Sequence, residues 1–557
     1  MTHVVTRACC NDASCVPVCP VNCIHPTPDE PDYGTAEMLY IDPDACIDCG
    51  ACVEACPVGA ISADYDLAAD QEPYERINAS WFDGDGRRDY AQEPVAARPT
   101  TWGGRSGEQL RVAIVGSGPA ASYAAEELLS RRGLDVAVDM YERLPIPGGL
   151  VRFGVAPDHQ DTKQTSVAFA RTLKRKGLRL FLNTEVGRDI TVDELRASYH
   201  AVIVAVGALD DRRLGIPGED LPGSHSATEL VGWYNGHPDF AHRTFDLSSE
   251  RAVVVGNGNV ALDVARILAS DPERLAGTDI ADHALAQLRE SNIREVVVVG
   301  RRGPQEAAFT TKELLGLIQT PGIDVVVRSE ELTPAEAEPG SAAAEKQRLL
   351  QELCSRPLTA PRRVVLRFLA SPEAVLGDDW VAGIRLQANR LEADASGVVR
   401  PVPTGDMEEL ACGLVFRSIG YRGSAVPGVP FDEVRAVVPN TGGRVHEAGE
   451  PVPGLFVPGL FVTGWIKRGP SGVIGTNKQC ARETVAHLLA DFDAGTLPVP
   501  QQASDDIESR LPGHVGLEGW RQIDTYETGA GRAARRPRVK LVDIEEMLSV
   551  ARSGADA

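Results

Sequence analysis

The sequence predicts a small α+β module over residues 1–66 followed by a much larger α/β unit built on two parallel sheets, and three observations predict it. The first is a cysteine run, Cys46-Ile-Asp-Cys49-Gly-Ala-Cys52-Val-Glu-Ala-Cys56-Pro57, preceded by a second cysteine cluster of related pattern. The second and third are two copies of an apolar strand, a GxGxxA turn and an amphipathic helix, one starting at Arg111 and the other at Arg251. Small thiolate modules fold as short elements around metal, whereas strand–turn–helix repeats build parallel sheets that bind dinucleotides at their glycine turns.

At 557 residues the chain has room for three or four compact units. No stretch approaches about 18 uninterrupted apolar residues, and the first ten residues lack the apolar run of a secretory signal. A cytoplasmic protein without a membrane partner is therefore expected. Nine of the twelve cysteines lie between Cys9 and Cys56, which argues for metal-bound thiolates and against a disulfide framework. Residues 1–66 carry one base, Arg7, against eleven acids, a net −10 out of the chain's −23. Nucleic acid is excluded as a partner for such a surface. A redox protein with a basic docking patch suits it, as does the plainer reading of a solvated acidic face.

In the module, cysteine spacings of two, two and three followed by proline are those of thiolates that hold one iron–sulfur cluster and lend the last ligand to another. Ser14-Cys15-Val-Pro-Val-Cys19-Pro20 reads against Ala51-Cys52-Val-Glu-Ala-Cys56-Pro57 as an internal repeat whose halves exchange last cysteines. Cys46, Cys49, Cys52 and Cys19 then form one 4Fe-4S site, and Cys15 and Cys56 belong to the other. One thiolate of the adjacent pair Cys9-Cys10, taken as Cys9, completes three ligands and suits a 3Fe-4S cluster; both members, or Cys23, would allow 4Fe-4S. A tetrahedral zinc site would need neither the repeat nor the Cys-Pro. With little core of its own, the module should depend on its clusters to fold.

Residues 67–107, rich in Gly, Pro, Arg and Asp, read as a linker anchored by Trp81 and Phe82. Residues 108–208 form the first part of a dinucleotide domain: the strand and turn Arg111–Ala121, with Gly116 and Gly118 letting the backbone approach a pyrophosphate, then a strand ending in Glu142, placed to accept from a ribose hydroxyl. A glycine-rich loop, Gly148–His159, and a buried strand ending at Gly207 follow. Residues 209–424 repeat the pattern with Gly256-Asn257-Gly258-Asn259-Val260-Ala261, but the next strand ends in Arg301-Arg302. Paired guanidiniums match a 2′-phosphate, so NADP(H) is expected there. Within 329–410, Val364–Leu369 and Gly383–Leu386 are expected as antiparallel strands. Residues 425–557 return to the first domain through Leu460–Gly464, a glycine-rich turn and a helix, and end in a helical tail.

From about residue 108 onward the sequence resembles the adrenodoxin reductase-like ferredoxin–NADP reductases, Rossmann-type flavoproteins of the glutathione reductase superfamily. The matching blocks are Val115–Ala121, Gly149–His159, Gly232–Pro238, Gly256–Arg266, Gly300–Pro304 and Gly464–Asn477. With the cysteine module, which looks like a seven-iron ferredoxin, the whole chain is similar to a fused ferredoxin/ferredoxin–NADP reductase. The resemblance implies FAD contacts at Ala121, Glu142, Leu150, Val186, Trp465, Gly472, Val473 and Ile474. It implies NADP contacts at Arg212, Asn257, Gly258, Asn259, Val260, Arg301, Arg302, Glu313 and Gly472. His159 matches the family's histidine near the flavin, as a tuner of its electrostatics or of docking. Some relatives pair that histidine with an acid three positions after the residue matching Glu313, where this sequence has Gly316.

The implied activity is transfer from NADPH to FAD, to the clusters and on to an external ferredoxin or another one-electron acceptor such as a P450-type enzyme, reversible in principle. A disulfide reductase needs a dithiol beside the flavin, and no cysteine lies between Cys56 and Cys354. An electron-input subunit of glutamate synthase type and a cluster-based redox sensor are the other readings; the sensor would have no use for two nucleotide sites.

Overall fold

The computed structural model describes residues 1–557 apart from 84–89, 91–92, 96–100, 106, 333–340, 395–397, 448–454, 504 and 554–557. The module is built from two short antiparallel ribbons, His3–Val5 with Ile61–Ala63 and Ile24–His25 with Tyr40–Ile41. Short helical turns at Val16–Val18 and Ala51–Ala55 fall between the cysteines.

The stretch expected as a linker starts instead with a helix, Pro73–Ser80, that belongs to the module. Pro73 opens it, where a missing N–H is harmless, and Tyr74, Ile77 and Asn78 are buried on one face. The Asn78 amide is fully used: Oδ1 accepts from Val5 N (3.1 Å) and Ile41 N (3.0 Å), and Nδ2 donates to Val5 O (2.8 Å) and Tyr74 O (2.7 Å). One side chain thus joins the two ribbons. Trp81 then stacks on Tyr40 with ring centroids 4.3 Å apart.

The first large sheet has seven strands in the order Asn440–Thr441, Arg444–Val445, Leu460–Val462, Ala201–Val204, Leu110–Val115, Val136–Glu142 and Leu178–Leu182, the last five parallel. The strand at Leu460–Val462 therefore rejoins the sheet begun at Leu110. The second sheet has six parallel strands in the order Ser224–Ser226, Leu414–Arg417, Arg251–Val255, Glu295–Val299, Arg362–Arg367 and Ile323–Val327.

The stretch Val364–Leu369 was expected to be antiparallel; its strand, Arg362–Arg367, runs parallel between two neighbours, with Val364 and Leu366 buried, as apolar interior strands of parallel sheets do. Gly383–Ala393 is antiparallel, in a separate three-stranded sheet with Ala370–Leu376 and Val399–Ala411.

One hydrophobic core runs without a break from the module (Val4, Ile41, Tyr74) into the second-sheet domain (Leu314, Leu317, Leu350). The module is packed against the larger unit and not merely tethered to it. Among the described residues no helix is long and apolar enough to cross a membrane.

Candidate active site

Both glycine turns require glycine. Gly116 has φ +105° and Gly256 φ +115°, and a Cβ there would lie 2.5 Å from Ala205 O and 2.1 Å from Ser418 O, respectively. The helices Pro119–Leu129, Asn259–Ala269 and Thr476–Asp493 begin at Gly118, Gly258 and Gly475 with no side-chain cap. At Gly118 and Gly258 no side chain competes for the positive helix end, which is what a dinucleotide pyrophosphate needs.

A cavity of about 690 Å³ lies between the two domains, lined by Gly116, Gly118, Glu142, Leu150, Val186, His159, Asn259, Val260, Glu313, Trp465, Gly472, Val473 and Ile474. Gly149 comes so close to Gly118 that a Cβ would lie 2.9 Å from its Cα. Glu142 accepts from the Ser117 hydroxyl (2.6 Å) and from Leu144 N (3.1 Å), so it stands as an acceptor at the strand end. The residues present fit a flavin dinucleotide. Ala121 does not line the cavity: it is fully buried in the helix–sheet core, where its small side chain lets the helix approach the strand.

The remaining nucleotide residues share one edge of the second sheet. Val255 and Val299 are register partners, so the turn at Asn257 and Gly258 and the pair Arg301 and Arg302 leave neighbouring strands side by side. Arg212 N bonds Gly420 O (3.3 Å) beyond the next strand. Arg301 and Arg302 are exposed, and among the described residues their guanidiniums have no partner, as a phosphate site requires. A second cleft of about 670 Å³ lies at the opposite edge of this sheet, but its Arg251 and Arg363 already pair with Glu295 and no expected site residue reaches it.

Deep in the main cavity, His159 sits in a charge network. Its Nε2 lies 2.6 Å from Arg7 Nη2 and 2.8 Å from Arg266 Nη2. Guanidiniums only donate, so Nε2 carries no proton and the ring is neutral. Burial, with Arg266 and Arg7, pushes the His159 pKa down against the pull of Glu313 and Asp263. Glu313 Oε2 is 3.6 Å from His159 Nε2 and 2.9 Å from Arg7 Nη2. Burial raises the Glu313 carboxyl, but the basic groups around it outweigh this and hold it well below the usual carboxylate range. With His159 neutral, Arg7 and Arg266 carry that effect. Arg266 also binds Asp158 (2.6 Å) and Asp263 (2.7 Å).

His159, Asp263 and Glu313 are close enough together to hold a metal ion, yet two guanidiniums already occupy the histidine nitrogen. Arg7, Asp158, Asp263, Arg266 and Lys312 were not singled out as site residues by sequence reasoning. The one available signal was that Arg7 is the only base of an acidic module.

The cysteines fall into two sets. Cys10 and Cys15 each feel Cys9 and Cys56, and Cys56 feels Cys9; Cys52 feels Cys46, Cys49 and Cys19, and its weaker influence on Cys15 marks where the two sets adjoin. Burial pushes the Cys10 and Cys15 thiols well up, and their acidic and thiol neighbours add to this. Such crowding of would-be thiolates calls for a cation among them.

The chain curls around each set through left-handed residues that are not glycine, Asn11, Ala13 and Asp48. Ala60 N points at Cys56 Sγ (3.2 Å), an N–H···S contact of the kind that tunes cluster thiolates. The donors fit iron–sulfur clusters. Cys23 lies 3.4 Å from Cys19 Sγ; its hydrogen bonds draw Cys46 down to about 4 and Cys19 to about 6.

Cys9 and Cys10 line the main cavity as well. The module therefore brings two of its cysteine residues to the pocket wall. Gly475 N donates to Cys10 O (2.7 Å), Lys312 Nζ to Cys9 O (2.6 Å), and Lys478 reaches Asp12 (3.1 Å) and Ser14 (2.7 Å).

Residues 110–309 match the family model described as pyridine nucleotide-disulphide oxidoreductase, and residues 39–62 the 4Fe-4S binding domain. The chain is 49% identical over 579 residues to the probable ferredoxin/ferredoxin–NADP reductase of Mycobacterium tuberculosis, covering 99% of this chain and 95% of that one. It is 48% identical over 457 residues to the NADPH-ferredoxin reductase FprA of the same organism, across 79% of this chain and 98% of the relative. The solved structure of Mycobacterium tuberculosis FprA in complex with NADPH matches with a TM-score of 0.75 at 47% identity, covering 80% of this chain and 100% of that chain. Cysteine module, two dinucleotide folds and similarity along almost the full length agree: the chain belongs to the ferredoxin/ferredoxin–NADP reductase family.

Proposed function

We propose that the chain passes electrons from NADPH through FAD and two iron–sulfur centres to an external one-electron acceptor. The observation that carries this reading is that Cys9 and Cys10 line the same cavity as Glu142, Trp465 and Ile474. Bound FAD takes two electrons from NADPH and gives them up singly, and each iron–sulfur centre accepts one.

The chain's own residues bind, orient and shield. The uncapped helix starts at Gly118 and Gly258 hold the pyrophosphates, and Glu142 accepts from the FAD ribose. Arg301 and Arg302, with Arg212 beside them, select the 2′-phosphate of NADP(H). His159 keeps Nε2 unprotonated, and the docked module covers one wall of the pocket against water.

The cysteine neighbourhoods support a first centre on Cys9, Cys15 and Cys56 beside the pocket, 3Fe-4S with those three thiolates and 4Fe-4S if Cys10, which also feels Cys9 and Cys56, joins them. They support a 4Fe-4S centre on Cys19, Cys46, Cys49 and Cys52 as the exit. Cys49 is exposed, and Val18, Ile47 and Val53 around it are 41%, 58% and 38% exposed. With Asp44, Asp48 and Glu54 nearby in the chain, this face suits an acceptor with an apolar centre and a basic rim, such as a P450-type enzyme or an external ferredoxin of that character. Cysteines suited to metal and not to disulfides, with NADPH as the donor, support a cytoplasmic protein.

The test is anaerobic reduction of cytochrome c, a basic one-electron acceptor. The reading predicts NADPH-driven reduction that slows with added salt; flavin bleaching without cytochrome c reduction would refute it. In the double variant Arg301→Ala/Arg302→Ala, KM for NADPH should rise about tenfold or more while that for NADH barely moves. Equal losses for both nucleotides would overturn the NADP assignment.

A further inference from the structure

The eight-residue helix Thr311–Ile318 touches the module along its whole first half. Thr311 N is capped by Glu37 Oε2 of the module (2.6 Å), Lys312 Nζ holds Cys9 O, and Glu313 pairs with Arg7. Its own N-cap residue, Thr310, makes no side-chain cap, so Glu37 takes that role from across the interface, with its negative charge at the positive helix end.

Gly316 lies inside this helix. Its φ is not left-handed, and a mid-helix glycine costs about 0.5–1 kcal/mol relative to alanine, so the backbone gives no reason for it. The reason lies outside the helix: a Cβ at position 316 would fall 2.1 Å from Arg7 Cζ and 2.4 Å from Arg7 Nη1. The missing side chain is a slot, and the Arg7 guanidinium fills it.

Filling the slot brings Arg7 Nη2 to both His159 and Glu313, two residues that line the cavity. Arg7 is two positions from Cys9 and is the only base in residues 1–66. Any side chain at 316 would push the guanidinium off both partners, and a neutral residue at 7 would leave the buried Glu313 with one guanidinium fewer.

We infer that Arg7 is a positioning residue: seated in the Gly316 slot and bonded to Glu313 and His159, it fixes the Cys9–Cys10 loop against the flavin pocket. This rests on the reading that electrons pass from FAD to the first centre. No atom is transferred in that step; electrons leave the reduced flavin singly, its protons go to solvent, and iron in the first centre is reduced. Arg7 sets the geometry in which this happens.

The test compares wild type, Arg7→Ala, Arg7→Lys and Gly316→Ala as purified holoenzymes, with two readouts. The first is amide hydrogen exchange at Thr311 and Gly475, whose N–H groups are held by Glu37 and by Cys10 O. The second is rapid mixing with NADPH, following flavin and cluster absorbance separately. Exchange at both amides should rise about tenfold in Arg7→Ala and Gly316→Ala, and the cluster phase should slow about tenfold or more, as misplacement by an ångström can.

In Gly316→Ala the cluster phase should slow more than the flavin phase, and Arg7→Lys should recover part of both effects. Gly316→Ala alters the reductase helix alone, so a module that fails to fold cannot imitate its effect. Wild-type exchange and wild-type cluster rates in both Arg7→Ala and Gly316→Ala would overturn the inference, as would a change in Arg7→Ala with none in Gly316→Ala. Clusters that NADPH fails to reduce in the wild type would instead condemn the electron path itself.

Discussion

At the scale of single residues, charge placement divides into what spacing announces and what only folding creates. Arg301 and Arg302 follow a strand of a recognised repeat, so the expectation of a phosphate site there is legible in one line of sequence. Arg7 and Glu313 stand 306 positions apart, and no local pattern joins them. Gly316 appeared as the loss of an acid; the structure shows it as space for a base from another domain.

The tail offers a similar case. Glu527, fully buried, binds Arg152 (2.6 Å) and Arg538 (2.8 Å), which ties the tail helix Leu517–Ala533 to the short helix Gly149–Phe153. Burial raises the Glu527 carboxyl, but the two arginines outweigh it and hold it below its ordinary 4.5. A carboxyl depressed in the folded state binds fewer protons there than in the unfolded chain. Its contribution is therefore complete above pH 4.5 and is lost as pH falls below that. Thermal melting followed from pH 7 to pH 4 should show this loss, and Glu527→Gln should melt lower at pH 7 yet with a flatter pH slope. An unchanged slope would assign the loss to other groups.

At the scale of elements, the strands, glycine turns and long helices were legible because each rests on local periodicity. The helix Pro73–Ser80 was not, since the Gly, Pro and Arg around it give the composition of a linker and its apolar face is only two turns long. What makes it structural is Asn78, whose four bonds cannot be read from sequence. Asn78→Ala would strand Val5 N, Val5 O and Ile41 N in the interior, at about 1–3 kcal/mol for each group left unpaired. The variant should release iron at a lower temperature than wild type while its flavin stays bound. Unchanged iron retention would mean that the helix is dispensable to the module. The strand Arg362–Arg367 was legible as a strand but not in direction, because a continuous apolar run has no exposed face to indicate which neighbours it will take.

At the scale of the whole molecule, the order of domains was legible, and their arrangement was not. Sequence reasoning read residues 67–107 as a linker between the module and the larger unit. The structure gives it a core continuous with the second-sheet domain and a helix capped from across the boundary. Tethering and docking then act together: the chain keeps the module near, and Arg7, Glu37, Lys312 and Lys478 fix how it sits. Cys9 and Cys10 line the pocket while Cys49 is exposed, so packing gives the proposed electron path an inner and an outer end.

The most direct test is electron paramagnetic resonance on anaerobic protein frozen at intervals after mixing with one equivalent of NADPH. The account predicts that the spectrum of the iron–sulfur centres changes no earlier than the flavin bleaches, and in proportion to the bound iron. A flavin that bleaches while the iron–sulfur spectrum stays unchanged over minutes would contradict it.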